Sequence, residues 1–468
     1  LLIGIWGYFI ATLVIATGYF CLYFSIAELS SIISFPGGHY GYVRTSVGPF
    51  WGYVCGMMSL MESIFFLAVS MLKFGQATTI VLGTDRAYEY LWWVIGYGGM
   101  ICFHIRGGIT FWHFMSICTI VNVTIIAIYL LGSINEMDFN EYAYRNSPTG
   151  FKGGALEFFL ALRLPGWFFV GTDLITCTCE EVKDARQLIP KAIISVMSIM
   201  FVISLWLQLT VAGQSPGLSE RFYELDNVFP LGFGFGNVLK ISSRAGVAFS
   251  ILPQFASCTG FTYAAGRQLN AMARSNLLPE FLKMTYGENK TPIAGMLVAS
   301  LVGLIGLVFA WFYDPYTMLF RMAMQGGCIS YILVLVAYIK FRTNYGAMNR
   351  EFTSPLKIPG AILGILIFLV VEVALLFVLP LLANWGATIA FLNYSLCITV
   401  YYYLVVEQRQ CFSEEEREKF FKTYIVNANM NKRRQLKSNY RISAHSSTSG
   451  NSLSQSSIVP ASSVSRLS

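Results

Sequence analysis

The stretch PGWFFVGTDLITCTCEEVKDA, residues 165–185, decides the fold. Its first half is apolar enough to lie in a membrane. Yet it carries Pro165, Gly166, Gly171, Thr172 and Asp173 where an uninterrupted membrane helix would carry Leu and Ile. In lipid every backbone N–H and C=O must find a partner within the protein, so irregular backbone at mid-depth occurs only where it is buried or lines a cavity. The stretch therefore reads as a helix broken at Gly171-Thr172, the carbonyl end of one half meeting the N–H end of the next at the membrane midplane. The alternative is a simple kink at Pro165-Gly166, since both residue types are commoner in membrane helices than in soluble ones. A carbonyl end carries partial negative charge and suits an ammonium group. Trp167, Phe168 and Phe169 stand where they could wall or gate that point. Asp173 either caps the second half-helix through its side chain or holds a bound solute or a proton. Cys177 and Cys179 have no further metal ligands nearby, so they read as helix filler, and no metal or cofactor is expected.

The composition places the whole chain in the same setting. Of 468 residues, 55% are hydrophobic and only 12% charged, where average soluble domains carry roughly 25% charge. The mean hydropathy is +0.58. Apolar runs of about 20 residues, the length that crosses a bilayer core, recur along the chain. Eleven spans are expected, near 6–29, 50–72, 88–105, 111–132, 156–178, 191–213, 245–266, 292–312, 317–340, 358–380 and 383–406. The expected fold class is thus an all-α polytopic membrane protein, with a transmembrane domain at 1–406 and a tail at 407–468. Most of the ten cysteines fall inside apolar runs and read as small lipophilic residues rather than a disulfide framework.

Loop charges set the orientation. One alternate set of loops holds thirteen Lys/Arg, among them Arg44, Arg106, Lys183, Arg267, Arg274, Arg342 and Arg350; the other set holds six, including Arg86, Arg145, Arg221 and Lys240. The first set is expected to be cytoplasmic, with the C-terminus on the same side and the plasma membrane as the default location. The Asn289-Lys290-Thr291 sequon then faces the cytoplasm and stays unmodified. Eleven spans with a cytoplasmic C-terminus leave the N-terminus outside, so one further span is expected before residue 1.

The tail supplies +5 of the net charge of +7. Such a tail fits a cytoplasmic surface near anionic lipid and not nucleic acid. Ser413 with Glu416 matches a capping box for a short helix, SEEEREKFFKTYI. Beyond Asn439 the chain is Ser-rich and disordered by composition. KRRQLKS at 432–438 is a solvated basic run, a lipid-binding patch or a kinase site. The tail also supports an alternative to carrying a solute, namely a receptor or scaffold that signals through it. The four His residues form no catalytic cluster, so the chain is not expected to be an enzyme.

Ionisable residues inside spans are candidates for function. Glu62 lies in MSLMESIFFL, either facing a cationic solute, carrying a proton or bonding to a neighbouring helix. Arg321 lies near an outer helix end, where it snorkels or gates. Glu372 is expected to make structural or dimer contacts rather than substrate contacts.

Five stretches together resemble the amino acid–polyamine–organocation transporters. They are AELSSIISFPGGHYGYVRTSVGPFWGYVCG at 27–56, HIRGG at 104–108, WFFVGTDLITCTCEEVKDARQLIPKAI at 167–193, GRQLNAMARSNLLPEFL at 266–282 and FTSPLKIPG at 352–360. They cover nearly all of 1–406 in order, and the ethanolamine permease-like branch is the most similar in tenor. The resemblance implies an inverted repeat of five plus five helices with two extra, and secondary transport of a small amine or amino acid. It implies a site at Trp167, Phe168, Phe169, Val170, Gly171, Thr172 and Asp173 together with Glu62. The first span here is similar to the family's second, and the family's first, which reads a substrate carboxylate, has no counterpart. Ser257 and Thr259 fall where sodium-coupled relatives place hydroxyl ligands. No lysine occupies 111–132, the position used by some proton-coupled members, so Asp173 or Glu62 would carry a coupled proton.

Overall fold

The computed structural model describes residues 3–421 apart from 36, 145–148, 216–228, 313, 347, 349 and 383–384. Arg145, Arg221 and the KRRQLKS run lie outside the described residues. Among the described residues there is no strand, only an isolated bridge between Tyr286 and Thr291.

The helices are α1 (Gly4–Ile32), α2 (Tyr40–Ser46), α3 (Pro49–Leu82), α4 (Glu89–Arg106), α5 (Gly108–Gly132), α6 (Ala155–Ala161), α7 (Ala185–Ala212), α8 (Pro230–Leu239), α9 (Ser243–Val247), α10 (Ile251–Arg274), α11 (Ile293–Trp311), α12 (Pro315–Asn344), α13 (Lys357–Val373) and α14 (Gly386–Tyr401). Nine segments among the described residues are long and apolar enough to cross a membrane. Two of the eleven expected spans are helical but fall short of that measure, α4 and the α9–α10 segment. The reason is visible in α10. It buries Thr259, Thr262, Gln268 and Asn270, polar side chains that are satisfied inside the protein. Gln268 donates to the Gly56 carbonyl at 2.9 Å and Asn270 to that of Leu282 at 2.8 Å.

α3 is the axis of the bundle and packs along α10 and α12. Small residues permit the approach, as they do in membrane helix pairs generally. A Cβ on Gly326 of α12 would stand 2.6 Å from the Met58 carbonyl oxygen of α3. α13 runs on through a π-turn, Ala374–Val378, to Leu379–Leu382. Pro380 explains that turn. A proline ring collides with the carbonyl four residues back, and widening the helix by one residue relieves it. The short helix α8 was not foreseen, although Pro230 at its first turn and Lys240 in a left-handed C-cap mark both its ends.

The capping box in the tail forms as its spacing predicts. Ser413 Oγ accepts from Glu416 N at 3.2 Å, and Glu416 Oε2 accepts from Ser413 N at 3.0 Å. The helical turns Glu414–Glu416 and Arg417–Phe421 do not stand apart from the membrane domain, however. They pack against it, with Glu416 fully buried.

Candidate functional site

The fifth expected span is broken more widely than two half-helices meeting at one point. It is α-helical only over Ala155–Ala161, then turns through 3-10 segments at Pro165–Phe168 and Asp173–Thr178. Local chemistry accounts for this. Pro165 brings no N–H. Gly171 sits at φ +89°, a backbone state that side-chain-bearing residues rarely adopt. Thr176 and Thr178 donate their hydroxyls to the carbonyls of Asp173 and Ile175 at 2.8 and 2.7 Å, three residues back, where such bonds compete with the α-helical ladder.

A cavity of about 390 Å³ opens beside the break. Phe168, Val170, Gly171 and Thr172 line it from the broken segment, and Ser257 and Phe261 line it from α10. The rest of its wall includes Phe111, Trp112 and Met115 of α5 and Val196 and Met200 of α7, so it is mostly apolar. No basic side chain is among its lining residues.

The other expected site residues lie elsewhere. Trp167 is not among the lining residues; its ring lies 5.0 Å from Phe66 and 5.9 Å from Phe320. Phe169 is fully buried, and its carbonyl already accepts from the Tyr23 hydroxyl at 2.5 Å. Thr259 donates back to the Phe255 carbonyl at 2.8 Å, whereas Ser257 faces Ser70 at 3.0 Å. The structure does not bring the two α10 hydroxyls together, because residues two apart on a helix point to different sides.

Asp173 does not cap the segment Asp173–Thr178, which has no side-chain cap hydrogen bond; it braces the turn before it and faces His39. Its Oδ1 accepts from Gly171 N at 3.2 Å, bracing the break, and its Oδ2 lies 3.3 Å from His39 Nε2. Both side chains are sealed from solvent. Glu62 accepts a hydrogen bond from the Tyr331 hydroxyl, while its Oε2 finds no partner among the described residues. It packs on Gly327 of α12, where a Cβ would come within 2.9 Å of the carboxylate. Tyr19 ties the two acids into one cluster, its ring 5.5 Å from Tyr331 and 5.6 Å from both Tyr23 and Phe169. Sequence reasoning missed His39, Tyr19, Tyr23 and Tyr331. The one available signal was the Gly37-Gly38-His39 turn, which sets His39 at the foot of α2.

Arg321 is corrected. It does not snorkel but is buried on α12, donating to Thr388 Oγ1 at 3.1 Å. Glu372 is buried on α13, with no hydrogen bond to either oxygen among the described residues.

Below the cavity an ionic wall closes the face that bears the basic loops. Glu181 accepts from Trp112 of α5 and from Tyr263 of α10, the latter at 3.0 Å, and pairs with Arg267. Arg267 also holds Glu180 at 2.7 Å.

A family model described as amino acid permease matches residues 3–403. The chain is 24% identical over 421 residues to the branched-chain amino acid permease BcaP of Lactococcus lactis subsp. cremoris, a match covering 84% of this chain and 83% of that protein. It is 22% identical over 366 residues to the histidine permease HisP of the same organism, covering 74% and 75%. It is 27% identical over 283 residues to a probable threonine/serine transporter, YbxG, of Bacillus subtilis, covering 57% and 58%.

Proposed function

We propose that this chain, which belongs to the amino acid permease family, carries an amino acid across the membrane by alternating access around the break at Gly171. The family and the apolar helices make it a multi-pass membrane transport protein. The observation that supports the finer reading is the cavity of about 390 Å³ set against Gly171. Irregular backbone next to a cavity in a membrane helix is where secondary transporters hold solutes. Carbonyls of Phe168, Val170 and Gly171 take the ammonium group, and the apolar wall from Met115, Val196 and Met200 takes an aliphatic side chain. That preference agrees with the relative named for branched-chain amino acids.

A second reading is a simple amine such as ethanolamine. Its support is that the cavity lining offers no basic side chain to a carboxylate. For coupling, the buried His39–Asp173 pair and the Tyr331–Glu62 pair are the proton-carrying groups we infer. The repeat of five and five helices, a plasma-membrane location, a cytoplasmic C-terminus, and tail contacts to a kinase or anionic lipid belong to the same proposal.

Uptake by the full-length protein in proteoliposomes tests it, using labelled leucine and labelled ethanolamine with and without an inward proton gradient. Saturable leucine uptake blocked by unlabelled aliphatic amino acids supports the first reading. Uptake of ethanolamine alone supports the second. Absence of both fluxes, with the protein folded, contradicts both.

A further inference from the structure

The tail is fastened to the membrane domain by more than its cap. Glu416 receives Arg44 Nη1 on both carboxylate oxygens, at 3.1 and 2.9 Å, and Ser275 Oγ at 2.8 Å. The Arg44 and Glu416 side chains are only 2% and 0% exposed. Arg44 Nη2 also donates to the Cys411 carbonyl at 2.9 Å, and its guanidinium stands 4.4 Å from the Phe412 ring centroid. Cys411 N donates to the Ser275 carbonyl at 3.1 Å. The segment therefore bridges α2 to the end of α10.

The contacts continue into the wall beneath the cavity. Glu415 pairs with Arg274, which lies 3.6 Å from Glu180. Glu180 and Glu181 both hold Arg267, and Glu181 gathers Trp112 and Tyr263. On the far side of this wall is a second cavity of about 400 Å³, lined by His104, Trp112, Glu181, Tyr263, Arg267 and Asn289 among others. It shares Phe111, Trp112 and Tyr263 with the first. One ionic chain thus runs from the tail to the partition between the two cavities.

We propose that residues 411–421 are an autoinhibitory latch. Docked, they hold α2 and the end of α10 together and keep the Glu181 partition shut. Undocked, they free Arg274 and Glu180, and the partition opens toward the basic-loop face. A buried ion pair suits such a device. Removing one partner leaves a stranded charge, yet withdrawing the whole segment returns both charges to water, where the pair's net contribution is small. The latch is therefore held by geometry and released as a unit. Only the uptake arm of its test rests on the transport reading.

The experiment places Cys at Ser257, inside the first cavity, and measures its rate of modification by a membrane-impermeant thiol reagent applied to the basic-loop face of vesicles, read by mass spectrometry. Three proteins carry Ser257→Cys: the otherwise unchanged chain, a truncation after Arg409, and Glu416→Gln, which keeps shape but strands Arg44. The latch predicts that truncation and Glu416→Gln both raise the rate about fivefold or more, the scale of an ordinary coupling between sites. The truncation keeps the test valid if Glu416→Gln does not fold. An unchanged or slower rate in a truncated protein with a normal thermal melt overturns the proposal. Leucine uptake is measured in parallel. If labelling rises while no solute is carried by any variant, the latch stands and the transport reading fails.

Discussion

Gly171 separates two ways in which a side chain could damage the site. A Cβ there would have only Phe261 Cε1 and Cζ for neighbours, at 3.7 Å, an ordinary contact. Crowding is therefore excluded for alanine, and the whole cost lies in the backbone, held at φ +89°. For an L-residue that region costs about 1–2 kcal/mol, a five- to thirty-fold change in the population of the state that contains it. Total stability for a folded protein is of order 5–15 kcal/mol, so Gly171→Ala still folds. It spends its strain on the break itself, shifting the carbonyls and the Asp173 brace. Asn tolerates positive φ better than Ala, while the β-branched Val tolerates it worst. Initial rates of leucine uptake in proteoliposomes, normalised to folded protein, should fall in the order Gly, Asn, Ala, Val, with Ala down about tenfold. Thermal melts of the Ala variant in detergent should move little. Equal uptake across the series would show that the left-handed turn is not needed, and a collapse of all three melts would show that Gly171 serves packing rather than transport.

Glu28 is buried at the end of α1 and accepts from Tyr338, Arg342 and Ser354 N at 2.8, 2.6 and 2.8 Å, with Arg350 at 2.7 Å. Glu28→Gln should cost about 3 kcal/mol, the low end for stranding a buried charge, because the Arg342 side chain is 19% exposed and can turn to water; the readout is a lowered melt, and an unshifted one refutes the assignment. Gly326→Ala forces a Cβ to 2.6 Å from the Met58 carbonyl, so α3 and α12 must part at about 1–3 kcal/mol, visible as reduced thermal stability even before uptake is measured. Asp173→Asn keeps the bond from Gly171 but removes the charge facing His39. It should abolish the response of uptake to a proton gradient while sparing exchange, whereas undiminished gradient-driven uptake would transfer that role to Glu62.

Local features of the chain proved readable where a physical cause sits within a few residues. The Pro165, Gly166 and Gly171 series announced irregular backbone, and Ser413 with Glu416 announced a helix start. Its extent was not readable, because the threonine bonds to carbonyls three residues back are choices made by rotamers, not by spacing. α10 was legible as a span near 245–266, but the pairing of its polar face was not, because Gln268 and Asn270 are satisfied by α3 and by the loop after α10, information carried by the partners. The pairs His39–Asp173, Glu28–Arg342 and Arg44–Glu416 join residues 134, 314 and 372 positions apart, so no local window contains both members.

The central claim is that the cavity beside Gly171 holds the solute in transit. Its most direct test is protection of Ser257→Cys from a small permeant thiol reagent by unlabelled leucine. The account predicts protection that saturates over the same leucine concentrations as transport and disappears in Gly171→Val. Full-rate transport by protein already modified at residue 257, or modification untouched by any solute that is transported, would contradict it.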